Sequence, residues 1–422
     1  MRITTLLLGS AALLCASSGC TLLSDSDRYI DPSEDASVDA RVGDASLHSR
    51  DGGPDASTTP DASTTPDAST TPDASTTPDA STTPDASTTP DASASPAEPN
   101  LIFITSTTYP GNLGGLSAAD AACQARASAA GLSGTYRAWL SDSAVDARTR
   151  LESASGWVRT DGAPFANTVD DVARGALYFP PRLDEFGNDV GEVVAMTNTT
   201  ENGVAWNDGC SGFTGNVGTT LSGLSSGASY MFENYAGVDC SRGGRIYCFG
   251  IDRSTSVAPP TLAPGLRRSF QRFWTPGGGI QAADAACQSD AESAGLSGNF
   301  RALLATDGAS PLSRFDLTRG AWARVDNAIV LPTAAEWATA EYFDTAPNVD
   351  ATGSFHFGNY VHWIGSASPA AAGTSASTCN NWMDSTLTAT AGLAGTTRVA
   401  FFSRSENRAC GLTFTLITCL EE

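Results

Sequence analysis

Residues 114–140, GGLSAADAACQARASAAGLSGTYRAWL, recur as residues 278–304, GGIQAADAACQSDAESAGLSGNFRALL, with two thirds of the positions identical and no gap. A chain that repeats itself over this length must build the same local structure twice. The correspondence continues beyond the segment: Arg159-Thr160-Asp161 stands opposite Arg324-Val325-Asp326, and each copy runs through a long irregular middle to a cysteine-rich end. Ser254–Pro264, rich in Ser, Thr and Pro, reads as the connector. The expected organisation is therefore one domain over 100–252, a connector over 253–264 and a second domain over 265–422. At roughly 150 residues each, the units are large enough to fold alone.

The cysteines divide in the same way. Setting aside Cys15 and Cys20 near the N-terminus leaves Cys123, Cys210, Cys240 and Cys248 in the first copy, and Cys287, Cys379, Cys410 and Cys419 in the second. An even set in an exported chain reads as disulfides. Four cysteines allow three connectivities, and spacing alone does not choose among them. Zinc on four thiolates would want pairs two to four residues apart, so no metal is expected there.

Local patterns predict a mixed α+β unit. Leu101–Ser106 is a β-rich run, and Ser117 and Asp120 have capping-box spacing, which predicts a helix running to Ala130 and stopping at Gly131. Leu116, Ala119, Cys123, Ala127 and Ala130 recur at helical spacing, which puts Cys123 on the buried face. Tyr136–Leu140 and Arg245–Phe249 alternate as strands do.

The segment GNLGGLSAADAACQARASAAGLSGTYRAWLSD resembles the helix-and-strand signature of the endostatin domain of nonfibrillar collagens, and of endostatin-like domains of bacterial surface lipoproteins. The likeness extends to Val193–Thr214 and Gly244–Gly250, and in the second copy to Val361–Ser368, Thr378–Ser385 and Leu416–Glu421. It implies two tandem C-type-lectin-like domains with nested disulfides, Cys123–Cys248 with Cys210–Cys240, and Cys287–Cys419 with Cys379–Cys410. The zinc and heparin binding of endostatin do not transfer, because the first copy has no His and both copies are net acidic.

Residues 1–20 carry an export signal: Arg2, an apolar run from Leu6 to Leu14, then Ala16-Ser17-Ser18-Gly19-Cys20. The run is shorter than the ~20 residues needed to span a bilayer. Its small-small-Gly-Cys ending resembles the lipobox of bacterial lipoproteins, which implies lipidation of Cys20. Leu14 before Cys15 is too bulky for a cleavage position, and Thr21 lacks the aspartate of inner-membrane retention. The expected address is the outer membrane, with exposure at the cell surface. Residues 21–99, with PDASTT six times from Pro54, repeat nothing apolar and are expected to be a disordered, partly polyproline-II tether.

Charge removes several partners. The 24 basic residues are all Arg and face 46 acids, which gives −12 for residues 1–100, −7 for 101–252 and −3 for 253–422, summing to −22. No segment has the basic field that nucleic acid or anionic lipid headgroups require. No cofactor is indicated.

The motifs that could signal chemistry are weak in context. Trp206-Asn207-Asp208 spells the calcium-ligating triplet of sugar-binding C-type lectins, but it precedes the second cysteine of its copy and lacks a Glu-Pro-Asn companion. Asp184, Glu185, Asn188 and Asp189 read as a solvated acidic turn. Gly223-Leu224-Ser225-Ser226-Gly227 fits the G-x-S-x-G string, yet its copy contains no His to act as base. His356 and His362 would share a face if they lay on one strand, but two ligands alone make a poor metal site. Most of the eight Trp are expected in cores, with one or two free to stack on sugar rings.

The expectation is a membrane-anchored surface lipoprotein with non-catalytic domains that bind an extracellular glycan or protein. The rival readings are an envelope-polymer hydrolase and a structural envelope protein.

Overall fold

Asn100–Ile104 (NLIFI) is apolar and rich in β-formers, and it becomes the hub of a sheet. The computed structural model describes residues 98–261, 264–403 and 406–422. Cys20, the rest of the export signal and the PDASTT repeats lie outside the described residues.

The first half contributes β1 (Asn100–Ile104), α1 (Leu116–Ala129), β2 (Tyr136–Ala138), β3 (Trp157–Arg159), β4 (Pro164–Ala166), β5 (Val194–Met196), β6 (Thr219–Leu224), β7 (Ala236–Asp239) and β8 (Tyr247–Gly250). The strands form two sheets, ordered β2-β8-β1-β3-β4 and β5-β6-β7. β1 is antiparallel to β8, with Ile102 opposite Phe249, and parallel to β3, with Leu101 opposite Val158.

The second half repeats this plan with β9 (Arg267–Phe273), α2 (Gly279–Ser293), β10 (Phe300–Ala302), β11 (Trp322–Arg324), β12 (Val361–Trp363), β13 (Thr388–Leu393), β14 (Glu406–Ala409) and β15 (Thr415–Glu421). Again the hub β9 is antiparallel to the last strand, β15, and parallel to β11, and β10 flanks β15. Here β12 also pairs in parallel with β15, fusing both layers into one seven-stranded sheet. In the first half a single parallel bridge, Ala195–Arg245, marks the same place.

Each long helix packs small residues on its sheet, Ala119, Cys123 and Ala127 from α1 and Ala283, Cys287 and Ala291 from α2, all fully buried. The expected capping box does not form. The N-cap is Gly115, without a side-chain cap, because Asp120 is used elsewhere: its carboxylate accepts from the Ala138 amide at 2.9 Å and pairs with Arg150. Asp284, Ala302 and Arg314 repeat the arrangement.

Four disulfides close the halves. Cys123–Cys248 and Cys287–Cys419 tie each helix to the last strand, and Cys210–Cys240 and Cys379–Cys410 tie the middle of each half to its end. Four such bonds mark an exported protein of an oxidising compartment. Among the described residues, no helix is long and apolar enough to cross a membrane. The second cysteine of each half opens a left-handed turn in which four successive residues have φ between 50° and 68°, Cys210–Phe213 and Cys379–Trp382. Most of these residues have side chains that disfavour that region. Burial of Phe213 and Trp382 and the cross-link through the cysteine hold the turns.

The halves meet at a seam with approximate two-fold character. Gly227, three residues past Leu224 at the end of β6, bridges Thr396, three past Leu393 at the end of β13. Amides of Ala228 and Thr397 donate to Gly395 and Ser226 carbonyls at 2.9 and 3.0 Å. Leu224, Leu393 and Met231 form a small core shared by both halves.

Candidate functional site

A cavity of about 300 Å³ opens at this seam. The first half supplies Ala173 and Arg174 from the helical turn Val169–Arg174, Glu201 and Asn202 from the next loop, and Tyr230 and Glu233 from the segment after β6. The second half supplies Phe357 and Gly358. Ser229 fastens the edge, its hydroxyl accepting from the Gly358 amide at 2.9 Å.

Glu233 forms the floor and is 1% exposed. The Trp139 indole donates to its Oε2 at 3.2 Å, and the Thr197 hydroxyl donates to its main-chain carbonyl at 2.5 Å. Burial pushes the Glu233 carboxyl well above the usual carboxylate range, against the opposing hydrogen bonds from the Gly203 backbone and Trp139, with Glu201 adding to the rise. Burial thus favours the neutral form of this carboxyl, which can donate as well as accept. Gly203 makes this packing possible. Its φ is 70° to the nearest ten, and a Cβ there would sit 2.8 Å from Arg148 Cβ and 3.3 Å from the Trp139 ring.

The rim is polar and aromatic. The Phe357 ring, 40% exposed, lies under the Arg174 guanidinium at 5.8 Å. Asn202 has φ 70°, a conformation asparagine tolerates, and its carbonyl accepts from Arg148 Nη1 at 3.2 Å.

The pseudo-symmetric position across the seam is filled. Arg398 is the counterpart of Ser229, and it makes an ion pair at 2.5 Å with Glu192, in the loop that corresponds to Gly358. The Tyr342 hydroxyl accepts from the Glu192 amide at 3.2 Å, and the Tyr342 ring lies 4.4 Å under the Arg182 guanidinium. Duplication thus yields two related places at the seam, of which one is plugged by an ion pair and the other holds a cavity above a buried acid.

The motifs singled out in the sequence lie elsewhere. Trp206 is 44% exposed, the Asn207 carbonyl accepts from Asn198 Nδ2 at 2.6 Å, and Asp208 accepts from Ser143 at 3.2 Å. The acidic stretch is a solvated turn only at Asn188 and Asp189, which are exposed. Asp184 is buried and caps its own loop through the amides of Phe186 and Asn188, both at 2.9 Å, while buried Glu185 binds the Ser106 amide and Arg126. Charges fixed this way compensate burial through hydrogen bonds.

The G-x-S-x-G string is buried structure at the seam, with the Ser225 hydroxyl donating to the Gly191 carbonyl at 2.7 Å. His356 and His362 do not share a strand face. His362 is inside β12, fully buried against Thr418, and His356 sits in the preceding loop against the Gln271 carbonyl. Among the described residues no three His, Cys, Asp or Glu side chains gather as a metal would need.

Six of the eight Trp are fully buried, Trp274 nearly so, and Trp206 is exposed. Neither Glu233 nor the cavity was among the sequence candidates. No protein-family model matches the chain, and no curated protein matches it.

Proposed function

We propose that the protein is a surface lipoprotein, anchored in the outer membrane through Cys20, whose two C-type-lectin-like halves bind an extracellular glycan or protein without catalysis. Support comes from the disulfide-closed, duplicated α+β frame and, above all, from the seam cavity. It is a concave place in which an exposed aromatic ring, an amide and carboxyl groups converge, and such a mixture suits polar ligand recognition. Lipidation is tested by labelled palmitate, whose incorporation should vanish in Cys20→Ala.

The binding reading is tested by presenting the full-length chain, with and without calcium, to arrays of glycans and matrix proteins. Selective binding to a defined class supports it, and an array without selective signal overturns it. One observation favours hydrolysis as a second reading: two acids, Glu201 and Glu233, line the same cavity, and burial pushes Glu233 above the usual carboxylate range. Release of sugar fragments from any bound glycan, lost in Glu233→Gln, would establish that reading instead.

A further inference from the structure

The cavity restricts its ligand by size, polarity and charge. About 300 Å³ lies at the small end of ligand pockets and suits one ring with its substituents rather than a run of a polymer. The wall supplied by the second half is an aromatic face, Phe357, with the Gly358 backbone beside it. The first half supplies Asn202, Glu201 and Glu233 together with Ala173 and the Tyr230 ring. Aromatic surface beside short-range donors and acceptors matches a pyranose, which has apolar C–H faces and hydroxyls around the edge.

Formal charge points to an uncharged ring. Arg174 and Glu201 offset each other at the rim, and the floor acid is buried beside the Trp139 ring. At the related position across the seam the same architecture carries the ion pair Arg398–Glu192 instead.

We propose that the seam cavity binds a single uncharged sugar ring at the end of a glycan, packed against the exposed part of Phe357 and hydrogen-bonded by Asn202, Glu201 and the Glu233 carboxyl. This deepens the binding reading and rests on it. The two halves form the site together, so neither half alone would bind.

The test uses the full-length, disulfide-intact chain and saturation-transfer NMR with three probes: neutral methyl hexopyranosides, a hexosamine and a hexuronic acid. A saturable contact to at least one neutral glycoside, weakened more than 10-fold by Phe357→Ala and by Asn202→Ala at unchanged melting temperature, supports the assignment. Absence of contact to every neutral glycoside, preference for either charged probe, or wild-type binding by Phe357→Ala overturns it. If Phe357→Ala still binds its array ligand, the cavity assignment falls and the surface-binding reading stands. If the array is blank while the glycoside contact is present and Phe357-dependent, the cavity stands and the wider reading falls.

Discussion

Gly227 bridges Thr396, and the two are counterparts of each other in the duplicated sequence. A contact in which equivalent residues meet across an approximate two-fold is the isologous geometry of a symmetric dimer, here built within one chain. The connector alone does not hold the halves together. Main-chain bonds between 226–228 and 395–397 and the shared Leu224–Leu393 core join them.

The seam should therefore make the halves unfold together. A Cβ on Gly227 would stand 2.5 Å from the Met231 carbonyl oxygen, so Gly227→Ala must displace backbone, and Leu393→Ala should cost about 2–4 kcal/mol. Calorimetry of the wild type should show one transition, and Gly227→Ala should lower it or split it in two. Two separate transitions in the wild-type protein would show that the seam does not couple the halves.

The disulfides differ in the loop they close. Cys123–Cys248 spans 125 residues and Cys210–Cys240 spans 30. In the chain-entropy account these loops are worth about 5 and about 3.6 kcal/mol. Replacing both cysteines of the long pair by Ser should therefore lower stability more than replacing both of the short pair. Urea midpoints of the two double variants in the same buffer decide the order, and a larger loss from the short pair would point to the left-handed turn at Cys210 as the greater dependence.

Much of the frame is legible in sequence because it depends on local pattern. Helical spacing placed Cys123 on a buried face, an even cysteine count in an exported chain implied disulfides, and the LIFI run marked the hub strand. The seam and the cavity depend on contacts between distant residues, which pattern does not record. Glu233 in FENY has the look of an ordinary surface acid, and its burial follows from Trp139, 94 residues earlier, and from the space left by Gly203. Asp120 was misread for the same reason. Its spacing from Ser117 suggests a cap, while its partners Ala138 and Arg150 lie up to 30 residues on.

His362 should govern part of the acid limb. It is stacked on Phe402 at 4.2 Å and shares a 2.8 Å hydrogen bond with Thr418. Burial pushes its imidazole down to about 3. Between pH 3 and about 6.5 the unfolded chain binds this proton and the folded chain does not, so stability rises with pH across that window and levels above it. Acidifying from pH 6.5 to 4 should cost about 3 kcal/mol through this residue. His362→Gln, which does not titrate, should show a shallower acid limb in urea titrations at pH 4, 5, 6 and 7, whereas a limb as steep as that of the wild type would locate the acid sensitivity in other groups.

Glu233 should act with the opposite sign and in a different window. Its folded carboxyl titrates well above the ordinary value because it is buried under the seam cavity. Between the unfolded value, about 4.3, and the raised folded one, the native chain holds a proton that the unfolded chain has released. Its contribution to stability is therefore complete below about pH 4.3 and is lost as pH rises through the folded value. Glu233→Gln keeps the shape and a hydrogen-bond acceptor for Trp139 without titrating. Compared with this variant, the wild-type protein should lose stability as pH is raised above about 4.3 towards neutrality, read as diverging urea midpoints. Parallel midpoints over that range would mean that Glu233 ionises as an ordinary carboxylate, and the cavity floor would then be charged at neutral pH.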